Sequence, residues 1–109
     1  MTVQGLIDAL GLAPVVLCDG AREVTGGYAG DLLSWGMGRA QADEAWVTIM
    51  SNNNIVAVAS LVDVSCIVLA EGVQPDEGVA ETARSRGVNI LSGGEGAFTL
   101  CRRIGELLA

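Results

Sequence analysis

The run from Cys66 to Leu91 constrains the fold more than any other part of the chain. It reads CIVLA, a polar loop, PDEGVAETARSRG and then VNIL. The outer pieces are short and rich in β-branched residues, as strands buried on both faces are. The middle piece opens with Pro75, Asp76 and Glu77: proline's fixed φ suits a first helical turn, and acids are attracted to the positive end of a helix. Arg84 and Arg86 sit where a last turn would be, and Gly87 follows as a stop. Two strands joined by one helix predict a right-handed crossover with the strands parallel.

Elements of the same kind fill the rest of the sequence. Leu6, Ile7 and Leu10 recur at helical spacing, with Thr2 as N-cap and Gly11 as stop. PVVLC, residues 14 to 18, reads as a strand followed by an Asp19-Gly20 turn. EVTGGYAG alternates like a strand, but its two central glycines suggest a bulge or a close backbone approach. Asp31 is placed to cap a short helix through LLSWGM, and AWVTIM, residues 45 to 50, is a strand. SNNN, residues 51 to 54, offers capping side chains ahead of IVAVASLVD. There Ile55, Val56, Val58, Leu61 and Val62 wrap most of the way around a helix, so cover is expected on both sides, and a second subunit is one such cover. SGGEG then leads into a helix with Ala97, Phe98, Cys101, Ile104 and Leu108 on one face and Arg102, Arg103 and Glu106 outward. No repeat or linker divides the 109 residues, half of them apolar. The expectation is one α/β domain spanning residues 1–109, its mixed or largely parallel sheet flanked by helices.

Charge and residue usage narrow the function. A net charge of −7 repels phosphate backbones and anionic lipid surfaces, which argues against nucleic acid and membrane partners. The N-terminus lacks the basic start and apolar core of a secretory signal, and no apolar run nears the roughly 20 residues of a membrane span, so a cytoplasmic location is expected. Cys18, Cys66 and Cys101 are far apart in a chain with no histidine. Inert thiols are expected there, with no metal site and no cofactor. Without histidine, a Ser-His-Asp triad and a Cys-His pair are both excluded. The 13 acidic residues fall mostly at predicted helix ends and turns, where capping or solvation accounts for them. No enzymatic activity is expected, although two converging acids would still suffice for acid–base chemistry.

Three stretches are candidates for binding. SGGEG, residues 92 to 96, precedes a helix and could offer N–H groups to an anion, but it has no P-loop lysine and Glu95 opposes the charge; a helix cap is the alternative. REVTGGYAGD combines Arg22, a forked donor for carboxylate or phosphate, with Thr25, the backbone of Gly26 and Gly27, Tyr28 and Asp31. The alternative is a structural bulge with Arg22 paired to a carboxylate such as Asp31. In SNNN, Asn52, Asn53 and Asn54 lie where open α/β sheets take ligands, at the carboxyl ends of the strands, or they form an ordinary polar loop.

REVTGGYAGDLLSW resembles the signature of the DRTGG domain family, and the resemblance continues through WVTIMSNNNIVAVASLVDVSCIVLAEGVQPDEGVAETARSRGVNIL, nearly the whole chain. Ala21 stands where the family's name places an aspartate, and Glu23 and Val24 separate Arg22 from Thr25-Gly26-Gly27. The resemblance implies an α/β domain similar to the N-terminal domain of HPr kinase/phosphorylase and, more distantly, to the nucleotide-contacting N-terminal domain of Mur ligases. DRTGG domains occur beside CBS-domain pairs and in some phosphotransacetylases, and stand-alone bacterial copies accompany hydrogenase and kinase-like regulatory genes. The family implies a regulatory or ligand-sensing role. Kinase activity does not carry over, because the HPr kinase active site belongs to a separate P-loop domain.

The combined expectation is a non-catalytic regulatory module. It would form a homodimer through Ile55, Val56, Val58, Leu61 and Val62, and bind a small anionic or nucleotide-like ligand near Arg22 to Asp31 and Asn52 to Asn54. The alternative is an interaction adaptor for an electron-transfer or kinase-like protein partner, with no small-molecule site.

Overall fold

The computed structural model describes all 109 residues. In chain order the elements are α1 (Val3–Leu10), β1 (Ala13–Val16), β2 (Gly26–Ala29), α2 (Leu33–Arg39), β3 (Glu44–Thr48), α3 (Asn54–Val62), β4 (Cys66–Leu69), α4 (Val79–Arg86), β5 (Ile90–Ser92) and α5 (Ala97–Leu108). The capping signals around α1 act as expected. Thr2 Oγ1 accepts a hydrogen bond from Gly5 N, and Gly11 ends the helix at φ 66°, where its N–H returns to Ile7 O.

The five strands form one sheet in the order β1-β5-β4-β3-β2. From β2 to β5 they are parallel, and the β4–α4–β5 unit pairs Ile67 with Ile90 as a parallel crossover should. Only β1 runs antiparallel, along β5. Alternation along the strands divides the core between two faces. Trp46, Ile67, Leu69 and Ile90 point into the layer with buried residues of α3 and α4. Ala45, Val47, Cys66, Val68 and Leu91 point the other way, onto Leu6 of α1 and Leu100 and Ile104 of α5. The result is a three-layer α/β/α sandwich.

The apolar wrap of α3 has an internal explanation. Ile55, Val56 and Val58 are buried by this chain's own sheet and by the helices on either side, α2 and α4. Burying a side chain such as Ile55 is worth about 1.5–3 kcal/mol, so the pattern is a core requirement. This corrects the expectation that a second subunit covers these three residues: they are not available to one. Leu61 faces outward at 73% exposure, and Val62 is half-buried.

Four local expectations are also corrected. Strand β2 contains no bulge: it pairs with β3 residue by residue from Gly26–Glu44 to Ala29–Val47, and the sheet's irregularity lies in β1 between Pro14 and Val16. Asp31 does not cap α2, whose N-cap position is Leu32 without a side-chain bond. Helix α4 begins after Gly78, at φ 87°, three residues beyond Pro75. On α5, Phe98 is 82% exposed and Leu100 takes the inward position with Ile104, so the buried stripe is rotated from the one expected.

Candidate functional site

Residues 17 to 25 carry the chain from β1, at one border of the sheet, to β2 at the other. They run along the amino ends of the parallel strands and are tied down at each. Just before β5, Asn89 Oδ1 accepts from Cys18 N and Asp19 N, at 2.8 and 3.0 Å. Just before β4, Ser65 Oγ donates to Glu23 O. Just before β3, Asp43 O accepts from Thr25 N at 2.9 Å.

Arg22 is the centre of this strap. Its Nη2 donates to Asp43 Oδ1 at 2.9 Å and to Asp63 O at 2.7 Å, and its Nη1 donates to Asp63 Oδ1 at 2.9 Å. Both aspartates sit in the left-handed region, at φ 67° and 68°, which short polar side chains tolerate better than others. Burial alone pulls the Arg22 pKa down, but hydrogen bonds to Asp43 and Asp63 and their charges outweigh it, so the net shift is upward. The fork is therefore spent within the chain. Arg22 does make the carboxylate pairing that the structural reading required, but not with Asp31.

Asp31 lies at the opposite end of β2. Its Oδ1 accepts from Thr48 Oγ1 at 2.8 Å and Ile49 N at 3.0 Å, which ties the end of β2 to the end of β3. The residues expected to share one site are thus split. Arg22 and Thr25 lie at the amino edge of the sheet, Gly26, Gly27 and Tyr28 within the strand, and Asp31 and Asn52 to Asn54 at the carboxyl edge. A four-residue strand separates the two ends by about 13 Å.

The carboxyl edge holds further polar groups. Asn52 Oδ1 accepts from Asn54 N at 2.9 Å, a local turn that precedes α3. Asn53 is the N-cap residue of α3 without a side-chain capping bond, and Asn53 and Asn54 are exposed. Ser51 Oγ donates to Asp76 Oδ1 at 2.8 Å, and Gln74 Nε2 to Ser92 Oγ at 3.2 Å. The SGGEG loop is closed: Glu71 N and Gly72 N donate to Glu95 O and Gly93 O, and Arg103 pairs with the Glu95 carboxylate. The side-chain cap offered as its alternative is not made: the N-cap position of α5 is Gly96, without a side-chain bond. The ion pairs of the chain leave Asp31, Glu71 and Asp76 without a cation, so this edge is acidic.

The cavity lies elsewhere. A hollow of about 280 Å³ opens between β2 and α5, lined chiefly by Gly27, Ala29, Val47, Ile104, Gly105 and Leu108. It exists because Gly27, Ala29 and Gly105 present almost no side chain where strand and helix face each other. Sequence reading missed it, as it missed Asn89; the small residues at facing positions were its only trace. No three His, Cys, Asp or Glu side chains converge as a metal-holding group, and no helix is long and apolar enough to cross a membrane.

Sheet order, direction and layering define a compact three-layer α/β module. No protein-family model matches the sequence, and no curated protein matches it. The fold is similar to the crystal structure of the CBS and DRTGG domains of the regulatory region of Clostridium perfringens pyrophosphatase, solved with the activator diadenosine tetraphosphate. The TM-score is 0.75 at 14% identity, over 94% of this chain and 45% of that one. The chain thus spans less than half the length of that structure. That structure contains a domain of the family that REVTGGYAGDLLSW resembles, and what the comparison shows the two chains to share is the fold.

Proposed function

We propose that this chain is a non-catalytic regulatory module that binds a small ligand at the carboxyl edge of its sheet, beside Asp31 and Asn52 to Asn54. The carrying observation is the run of exposed asparagines at the start of α3, of which Asn53 and Asn54 make no side-chain hydrogen bond while Asn52 accepts from Asn54 N. They stand at the strand ends where open α/β sheets take ligands. The similarity of fold to a nucleotide-activated regulatory region supports the same reading.

The edge's charge selects which part of a ligand it holds. Asp31, Glu71 and Asp76 would repel a phosphate, and the arginines outside ion pairs, Arg39, Arg84 and Arg86, lie in the last turns of α2 and α4, toward the other end of the strands. Asparagine amides both donate and accept, which suits a base or a ribose. A nucleotide-like ligand would therefore place its nucleoside against Asn53 and Asn54 and its phosphates toward solvent.

Titration of the isotope-labelled protein with adenosine, its mono- and triphosphates and diadenosine tetraphosphate tests this. The expected result is chemical-shift change confined to Asp31 and residues 51 to 54, abolished in the double variant Asn53→Ala, Asn54→Ala. At a ligand concentration 100 times Kd, the stabilisation should be about 2.7 kcal/mol. A panel without any shift at this edge sinks the sensor and leaves the adaptor, a reading that the apolar hollow beside β2 favours independently.

A further inference from the structure

Strand β2 has β3 on one side and no strand on the other. An open strand border presents unpaired backbone groups, and proteins usually blunt it with proline, lysine or a bulge. Gly26-Gly27-Tyr28-Ala29 has none of these. Its alternate residues Gly27 and Ala29 face α5, where the absence of side chains leaves the 280 Å³ hollow. That volume lies at the bottom of the usual range of about 300–1,000 Å³ for a whole small-molecule ligand, and its walls are mainly apolar, as an aliphatic side chain requires.

We infer that the β2 border takes an extended segment of another protein as a sixth strand, with a large aliphatic side chain of that segment entering the hollow over α5 and basic residues at its ends. Strand addition obtains affinity from main-chain hydrogen bonds and specificity from a pocket for alternate side chains. Both parts are present here, side by side.

Shape and charge identify the occupant. A second copy pairing antiparallel through its own β2 would bring Gly27 and Ala29 to the α5 face, a hydrogen and a methyl, and leave the hollow empty. Two chains of net charge −7 would also repel. At the start of the strand, Glu44 lies opposite Gly26; past its end lies Asp31, and neither is in an ion pair. Nearby, Arg102 is neutralised by Glu106, and Arg39 is stacked on Trp35 at 3.9 Å. An acid at each end of an apolar strand border fits a segment with the opposite ends.

The probe is a blocked heptapeptide, Arg-Val-Thr-Leu-Thr-Val-Arg, whose leucine points to the α5 face and whose two arginines point to the face of Glu44 and Asp31, with two controls: serine for its leucine, and glutamate for both arginines. The expected result is slowed amide exchange at residues 26 to 29 and saturable binding, weakened about tenfold or more by either control. Gly105→Leu and Gly27→Val fill the hollow from its two sides, and each should weaken the parent peptide to a similar degree. A Cβ at residue 105 meets open space, and at residue 27 only ordinary contact with Ala45 O at 3.7 Å, so at least one variant should fold, as circular dichroism will show. Absence of binding, or binding indifferent to the leucine, the charges and both fillings, overturns the inference. So does a dimer in light scattering that Gly27→Val disperses, because the border then belongs to a second copy. The peptide is read at residues 26 to 29 and the ligand site at residues 51 to 54, with Asp31, which both readings use, counted for neither, so the two tests fail separately.

Discussion

Arg22 and Asp63 are 41 residues apart in sequence and meet twice, once through the carboxylate at 2.9 Å and once through the backbone carbonyl at 2.7 Å. With Asp43 they close a three-residue latch that holds the crossing strap against the amino edge of the sheet. Both aspartates of the latch are in the left-handed conformation, Asp63 as the C-cap of α3 with its N–H on Ala59 O and Asp43 just before β3.

Replacing Arg22 with alanine should lower stability by about 1–2 kcal/mol, measured by urea denaturation. Partial exposure of all three side chains keeps the figure below that of a buried pair. Arg22→Lys should recover only part of the loss, because an ammonium cannot span both carboxylates as a planar fork does. Ligand response at the carboxyl edge should survive both changes, since the latch is at the other end of the strands.

Asn89 should be the costlier single loss. It is 3% exposed, and its amide makes four bonds: it accepts from Cys18 N and Asp19 N and donates to Asp19 O and Ser65 O. Asn89→Ala leaves those backbone groups unpaired and should cost about 2–4 kcal/mol. Asn89→Asp, which keeps the shape but turns two donors into acceptors, should be no milder. The measurement is the urea midpoint at constant slope.

The contrast between these residues and the well-read elements shows what a sequence carries locally. The ends of α1 and the C-terminus of α4 follow from caps within a few residues: Thr2 with Gly5, and Gly87 at φ 70°. The parallel β4–β5 pair follows from run length and the intervening helix. The partners of Arg22 and Asn89 depend instead on which loops the sheet order brings together, and no local pattern encodes that. Helix α3 misled for a related reason: an apolar surface that wraps most of the way around signals cover, but not whose, and at Leu61 this chain supplies none. Phe98 misled because the helical stripe was matched through it when Leu100 and Ile104, four apart, are the pair that fits. At the candidate site, Asn52 to Asn54 were legible as polar residues at a strand end, whereas the hollow beside β2 is made by what three residues lack.

Glycine substitutions should separate two kinds of position. Gly105 lies inside α5, and a Cβ there meets nothing within 4 Å. Gly105→Ala should therefore stabilise the protein by about 0.5–1 kcal/mol through helix propensity. Gly87 also has open space around it but sits at φ 70°, and Gly87→Ala should cost about 1 kcal/mol for forcing an L-residue into the left-handed region. Paired thermal or urea melts give both signs in one experiment.

The three thiols should react in order of access. Cys18 is exposed, Cys101 is half-buried with its pKa raised by burial, and Cys66 is fully buried on the α1/α5 side of the sheet. A disulfide reagent at pH 8 should modify Cys18 first, Cys101 more slowly and Cys66 only as the domain opens. Burial pushes the Cys66 pKa from 9.0 to about 12, against a smaller opposing pull from Arg22. The unfolded thiol therefore loses its proton first as pH rises. Below pH 9 both states are protonated and the full stability is present; between pH 9 and about 12 the unfolded state binds fewer protons and stability falls with each step upward. The stability gap between the parent protein and Cys66→Ala should narrow over that window and be flat below it. A gap that stays constant from pH 7 to 11 would show that the Cys66 thiol ionises as readily in the folded chain as in the unfolded one.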